Sequence, residues 1–144
     1  LPFDHLTSLD GYQPDLDKHK ELSAAAFVWE SKLGDVRTFQ GTYDVGFSFD
    51  VLEHLTKEDG LLFLQRLDER ITKRIVLFVP LEPEDFHRVY EDGNVLQAHL
   101  SHWRPEELES HGYKVEIING CHTEKREDGT NITFGAMWAV KQKE

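Results

Sequence analysis

The segment Tyr43–Val79 constrains the fold more than any other part of the chain. Tyr43-Asp44-Val45-Gly46-Phe47-Ser48-Phe49 is rich in β-branched and aromatic residues and stops at Asp50, which predicts a strand. Thr56-Lys57-Glu58-Asp59 then sets a hydroxyl three residues ahead of an acid, the pattern of a helix N-terminus with Thr56 as its cap. Behind it, Leu61, Leu64, Leu67 and Ile71 recur at helical spacing with Leu62 beside them, predicting one apolar face. Arg74–Val79 reads as a buried strand that Pro80 stops. A strand–helix–strand unit of this kind closes as a right-handed parallel crossover, so the class is α/β.

The flanking segments continue the alternation. His5–Leu9 is a short strand ending at Asp10, and Gly11–Pro14 turns the chain. Pro14 suits the first helical position and Asp15 and Asp17 suit the positive helix N-terminus, with that helix running to about Ala26. A second strand begins at Phe27-Val28-Trp29 and ends before Gly34-Asp35. Leu81–His102 is an irregular stretch, long enough to suggest a functional loop. Pro105 opens a short helix that Gly112 closes. Tyr113–Asn119 and Ile132–Val140 are strands around a polar loop, Gly120–Thr130. No helix fits between them, so they pair as an antiparallel hairpin. The 144 residues make one ordinary domain.

The charge balance narrows the partners. Sixteen basic residues stand against 27 acidic ones, a formal net of -11, which disfavours a polyanion such as nucleic acid. Cys121 is the sole cysteine and cannot form an internal disulfide. The apolar runs are too short to span a bilayer. A cytoplasmic protein without a membrane partner is the expectation.

Chemistry gathers at the strand ends. In an open parallel sheet, ligands bind beyond the carboxyl ends of the strands. Asp10 ends the first predicted strand, Asp35 follows the second, and Asp50 ends the third with Glu53 and His54 just beyond. Acids on one edge repel each other unless a ligand rich in hydroxyl and amino donors, or a cation, stands between them. An acid in the position of Asp10 can accept from both hydroxyls of a ribose. Asp35, one strand over, is placed to accept from an adenine amino group.

Several strings here resemble the class I S-adenosylmethionine-dependent methyltransferases. Asp50-Val51-Leu52-Glu53-His54-Leu55 is similar to the motif after that family's fourth strand. Leu6–Asp10 resembles its second strand, Leu33-Gly34-Asp35-Val36 its adenine segment, and His102–Leu108 with Gly112-Tyr113 the approach to its last helix and sixth strand. The resemblance covers nearly the whole chain. It implies a Rossmann-like three-layer α/β sandwich, mostly parallel, with an antiparallel C-terminal hairpin. It also implies S-adenosylmethionine held by Asp10, Gly11 and Tyr12, by Asp35 and Val36, and by Phe49 and Asp50. The family's first strand and Gly-x-Gly-x-Gly loop should precede Leu1, and Gly11, Gly34 and Gly46 form no such loop. A single methyltransferase-like domain over 1–144, incomplete at its N-terminus, is therefore expected. Arg104 replaces the usual Ser or Thr helix cap, at little cost.

The same strings resemble those of the plant-type small-RNA 2′-O-methyltransferases, where Glu-x-x-Glu-His and a later His four residues before Trp hold magnesium. Here Asp50, Glu53 and His54 are followed by His99, four residues before Trp103. The resemblance implies Asp50, Glu53, His54 and His99 as ligands of a divalent metal. Many methyltransferases keep Glu-His here without a metal. His54 and His99 are equally suited to act as the base for a hydroxyl acceptor. A small-molecule acceptor is expected to sit against Leu81–Trp103, with Phe86, Tyr90 and Trp103 as walls. Glu82, Glu84 and Asp85 would favour a neutral or cationic acceptor if they face it. His122 is expected to face water. Three alternatives remain: a non-catalytic or truncated methyltransferase-fold module, a nicotinamide-dependent oxidoreductase, and a metal-binding protein without transferase activity.

Overall fold

A computed structural model of the chain describes residues 4–21, 28–86 and 95–144. The backbone falls into two compact units, Leu1–Phe39 and Gln40–Glu144. In the first, β1 (His5–Asp10), α1 (Gln13–Glu21) and β2 (Val28–Leu33) follow in order. β1 and β2 pair in parallel without a break, from His5 opposite Val28 to Asp10 opposite Leu33. The predicted end of α1 at Ala26 and the start of β2 at Phe27 lie outside the described residues.

The second unit holds β3 (Tyr43–Phe49), a 3-10 turn at Leu52–His54, α2 (Lys57–Arg70) and β4 (Ile71–Leu81). A 3-10 turn at Val95–Gln97, α3 (Pro105–Ser110), β5 (Lys114–Lys125) and β6 (Asn131–Gln142) complete it. β3 has the bounds the sequence predicts, and the Thr56 side chain accepts from Asp59 N at 3.1 Å, as an N-cap should. β3 and β4 run parallel, and β5–β6 is the antiparallel hairpin.

The expectation of a mostly parallel sheet needs revision. The four strands lie in the order β3-β4-β6-β5, with β4–β6 and β6–β5 both antiparallel, so this sheet is mixed. Pro80 does not stop β4. It sits inside the strand opposite Ala136. β3 has already ended by then, its last residue Phe49 pairing with Phe78, so Pro80 has a strand neighbour on one side only. There a missing N–H is tolerated. The polar loop predicted to begin at Gly120 is strand as far as Lys125. The register slips between Ile118 and His122 where Gly120 adopts φ +63°, and a bulge of this kind absorbs extra residues without ending the pairing.

Side chains that pair across strands share a face, which sorts the core. Leu77 lies opposite Ala139 and Val79 opposite Met137, and all four are buried. α2 packs on β4 and α3 on β5. The other face carries Phe47, Phe49, Phe78 and Trp138, with Phe49 edge-on to Trp138 at 5.5 Å. The apolar stripe of α2 is rotated from the predicted one: Phe63, Leu64 and Leu67 are buried, while Leu61 and Leu62 are 42% and 48% exposed. Gly60 is the reason the helix can sit so close to its neighbour. A Cβ there would lie 2.3 Å from Trp103 Cζ2, and Trp103 is 1% exposed with nowhere to retreat. Gly60→Ala is therefore expected to destabilise the fold by about 1–3 kcal/mol, the usual range for overpacking a filled core, as read from the denaturant midpoint.

Candidate functional site

Parallel pairing in each unit brings strand ends to one edge. In the first unit Asp10 closes β1 and Asp35 follows β2 by two residues, so both acids stand at the carboxyl edge of that pair. Asp10 Oδ1 accepts from Tyr12 N at 2.9 Å, which shapes the Gly11–Tyr12 turn. Asp35 is engaged through both carboxylate oxygens by Arg37, at 2.5–3.0 Å. These hydrogen bonds hold its carboxyl below the usual carboxylate range. Val36 is half-buried beside it.

In the second unit the carboxyl ends of β3 and β4 form the other edge. Asp50 leaves β3 at φ 53°, a left-handed conformation uncommon outside glycine and better tolerated by Asp than by most residues. Its N–H donates to Phe78 O at 3.0 Å. The turn that follows buries Leu52 and Glu53 and leaves His54 half-buried. Phe49, expected at the cofactor, is exposed on the aromatic face.

A distant segment closes over this turn. Leu100 N and Ser101 N both donate to Glu53 O, at 2.7 and 3.2 Å. Ser101 Oγ donates to Leu52 O at 3.1 Å, and Trp103 Nε1 donates to Ser101 Oγ at 2.8 Å. His54 Nδ1 lies 3.2 Å from Ala98 O, so with an N–H on Nδ1 it donates there. The result sets the His54 and His99 rings edge to face, with centroids 4.6 Å apart. One ligand atom from each of Glu53, His54 and His99 falls within 4.8 Å of the others. Asp50 lines the same cavity but stands outside that group.

The cavity has a volume of about 380 Å³, within the range of small-ligand sites. Asp50, Glu53, Glu82 and Glu124 supply carboxylates, and His54, His99 and His122 supply imidazoles. Glu82 is 3% exposed. Its Oε1 is in contact with His99 Nδ1, and its Oε2 lies 3.9 Å from His102 Nε2. Around this contact, Glu82 Oε2, both ring nitrogens of His99 and His102 Nε2 are buried without an aligned hydrogen-bond partner among the described residues. Buried polar atoms in that state call for a further partner. The group of Glu53, His54 and His99 offers one oxygen and two imidazole nitrogens, donors that suit a divalent transition metal such as manganese or zinc, so these residues fit a cation.

Several expectations change here. Trp103 is core, not pocket wall. Phe86 packs against Phe134 with centroids 5.6 Å apart and is buried with it and Ile132. Tyr90 lies outside the described residues. Glu84 and Asp85 are exposed, and of the three nearby acids Glu82 alone lines the cavity. His122 is half-buried on the cavity wall, its ring stacked 5.4 Å from Phe134, where the sequence reading left it in water. The missed signal was alternation: His122 and Glu124 are two apart, as side chains on one face of a strand must be.

No protein-family profile matches the sequence, and no curated protein matches it. Solved structures do. The TehB structure from Haemophilus influenzae superposes with a TM-score of 0.65 at 16% identity, over 96% of this chain and 49% of that one. The small RNA methyltransferase HEN1 gives 0.62 at 17%, over 97% of this chain and 20% of that one. The magnesium protoporphyrin IX methyltransferase of Synechocystis PCC 6803, solved with bound S-adenosylhomocysteine, gives 0.57 at 14%, over 94% and 64%. The chain thus spans about half the length of TehB and has the fold of class I S-adenosylmethionine-dependent methyltransferases. No helix of the described residues is long and apolar enough to cross a membrane.

Ser101 joins the two halves of the second-unit site through buried bonds, so Ser101→Ala is expected to cost Leu52 O and the indole N–H their shorter partner, leaving them only the direct Trp103 Nε1–Leu52 O bond of 3.3 Å. Loss of a buried partner costs about 1–3 kcal/mol, measurable by chemical denaturation.

Proposed function

We propose that the chain serves S-adenosylmethionine-dependent methyl transfer to a hydroxyl of a small-molecule acceptor, with a divalent cation held by Glu53, His54 and His99. The observation that carries this is the convergence of those three donors within 4.8 Å at the carboxyl edge of β3 and β4, in a methyltransferase fold. A base needs one imidazole lone pair, and a cation needs several donors brought together. His54 and His99 cannot use the same lone pair for both tasks, and the clustering favours the ligand role. When bound, the cation supplies Lewis acidity toward the acceptor's hydroxyl.

The chain's own residues do the rest. Asp10 and Asp35 would accept from ribose and adenine, with Gly11, Tyr12 and Val36 around them. Arg37 now holds Asp35, so adenine binding must share or displace that pair. Transfer itself is an in-line displacement: the acceptor hydroxyl gives up its proton to water, its oxygen bonds to the methyl carbon, the carbon–sulfur bond breaks, and S-adenosylhomocysteine leaves with the electron pair. The reactivity belongs to the cofactor, and the protein contributes position and environment. The cavity's acids and the net charge of -11 favour a neutral or cationic acceptor over a polyanion.

Thermal melts with S-adenosylhomocysteine, with NAD and with neither test the reading. At a hundredfold excess over its dissociation constant, S-adenosylhomocysteine should add about 2.7 kcal/mol, and NAD should add nothing. A shift with NAD alone would transfer the site to nicotinamide chemistry. A cooperative melt that responds to neither ligand would leave a non-catalytic module.

A further inference from the structure

We infer that Glu82 is a positioning residue of this site, one that fixes the His99 ring with its proton on Nδ1 and its lone pair on Nε2. The inference rests on the cation reading above for its functional meaning, and on geometry for its content. Glu82 follows the end of β4 directly and sits between Pro80 and Pro83, so the backbone on either side has little freedom. Its carboxylate is buried and faces two imidazoles: His99 through Oε1 and His102 through Oε2.

A buried carboxylate is costly unless hydrogen-bond donors compensate it. An ionised carboxylate can only accept. Where Glu82 accepts from the His99 nitrogen beside it, that nitrogen, Nδ1, carries the proton. Neither ring nitrogen makes an aligned hydrogen bond among the described residues, and the close contact of Nδ1 with Glu82 leaves Nε2 as the nitrogen available to the group with Glu53 and His54. Metal-ligating histidines are oriented in this way by a carboxylate on the far ring nitrogen. The competing view gives Glu82 a purely structural task, pinning the His99–His102 segment to the end of β4. A glutamine of the same shape separates the two. Its amide can both donate and accept, so it keeps a contact but no longer dictates the tautomer.

The test uses the full-length protein labelled with 15N, with His99 resonances assigned by their loss in His99→Asn. Ring nitrogen shifts report the tautomer, and titration with manganese reports cation affinity. The expected result is an Nδ1-protonated His99 in the wild type. In Glu82→Gln the tautomer should become mixed, and manganese should bind about 10–100-fold more weakly, the usual cost of losing an outer-shell partner. A wild-type His99 protonated on Nε2 would overturn the inference, and that measurement needs no variant to fold. Glu82→Gln with unchanged tautomer and affinity would overturn it too. If the wild type binds no manganese but its tautomer depends on Glu82, the positioning role stands and the cation reading fails.

Discussion

The indole of Trp103 is the contact on which the second unit's site depends. It lies against Gly60 in α2, where no side chain fits. Lys57 Nζ sits 3.9 Å above the centre of its ring. Its N–H reaches Ser101 Oγ, and through it Leu52 O. Lys57 also donates to Glu107 at 2.7 Å, and Glu107 accepts from Arg104 N at the start of α3. One buried side chain therefore couples the turn after β3, the first turn of α2 and the entry to α3. His99 lies four residues before this anchor, and His54 lies in the turn it holds. Their meeting follows from packing, and neither histidine has to seek the other.

The carboxylates give that meeting its chemical character. Glu53 is 2% exposed, its backbone oxygen receives two N–H donors, and it lines the cavity. Glu82 is held from the opposite direction, at the end of β4. Imidazoles lie between and beside the two. Burying negative charge beside neutral rings with few donors is unfavourable by itself, and a cation would turn that cost into affinity. The acids of the first unit are arranged differently. Asp10 shapes a turn and Asp35 is paired with Arg37, a geometry suited to exchanging hydrogen bonds with a neutral nucleoside.

Much of this was legible in the sequence, where the physics is local. β3, the Thr56 cap, the parallel β3–β4 pair and the terminal hairpin follow from composition, capping chemistry and loop length. The glutamate and two histidines of the central group followed from a family resemblance, and the structure brings them together. The misses are tertiary. Pro80 looks like a stop unless one knows that β3 has already ended. Leu61 and Leu62 fit a helical stripe as well as Phe63 does, and the close approach of Trp103 to Gly60 chooses among them. The polar residues of β5 resemble a loop because an edge strand with one neighbour leaves much of its surface in water. Glu82 carries no local mark at all, because its importance comes from a histidine seventeen positions away, as the two residue numbers show.

The central claim is that Glu53, His54 and His99 form a cation site at the edge of a methyltransferase sheet. Pulsed electron paramagnetic resonance of the manganese-loaded protein tests it most directly. Nitrogen couplings from two imidazoles are expected, one of which disappears in His54→Ala and the other in His99→Ala. Manganese bound without imidazole nitrogen couplings, or couplings that survive both substitutions, would contradict it.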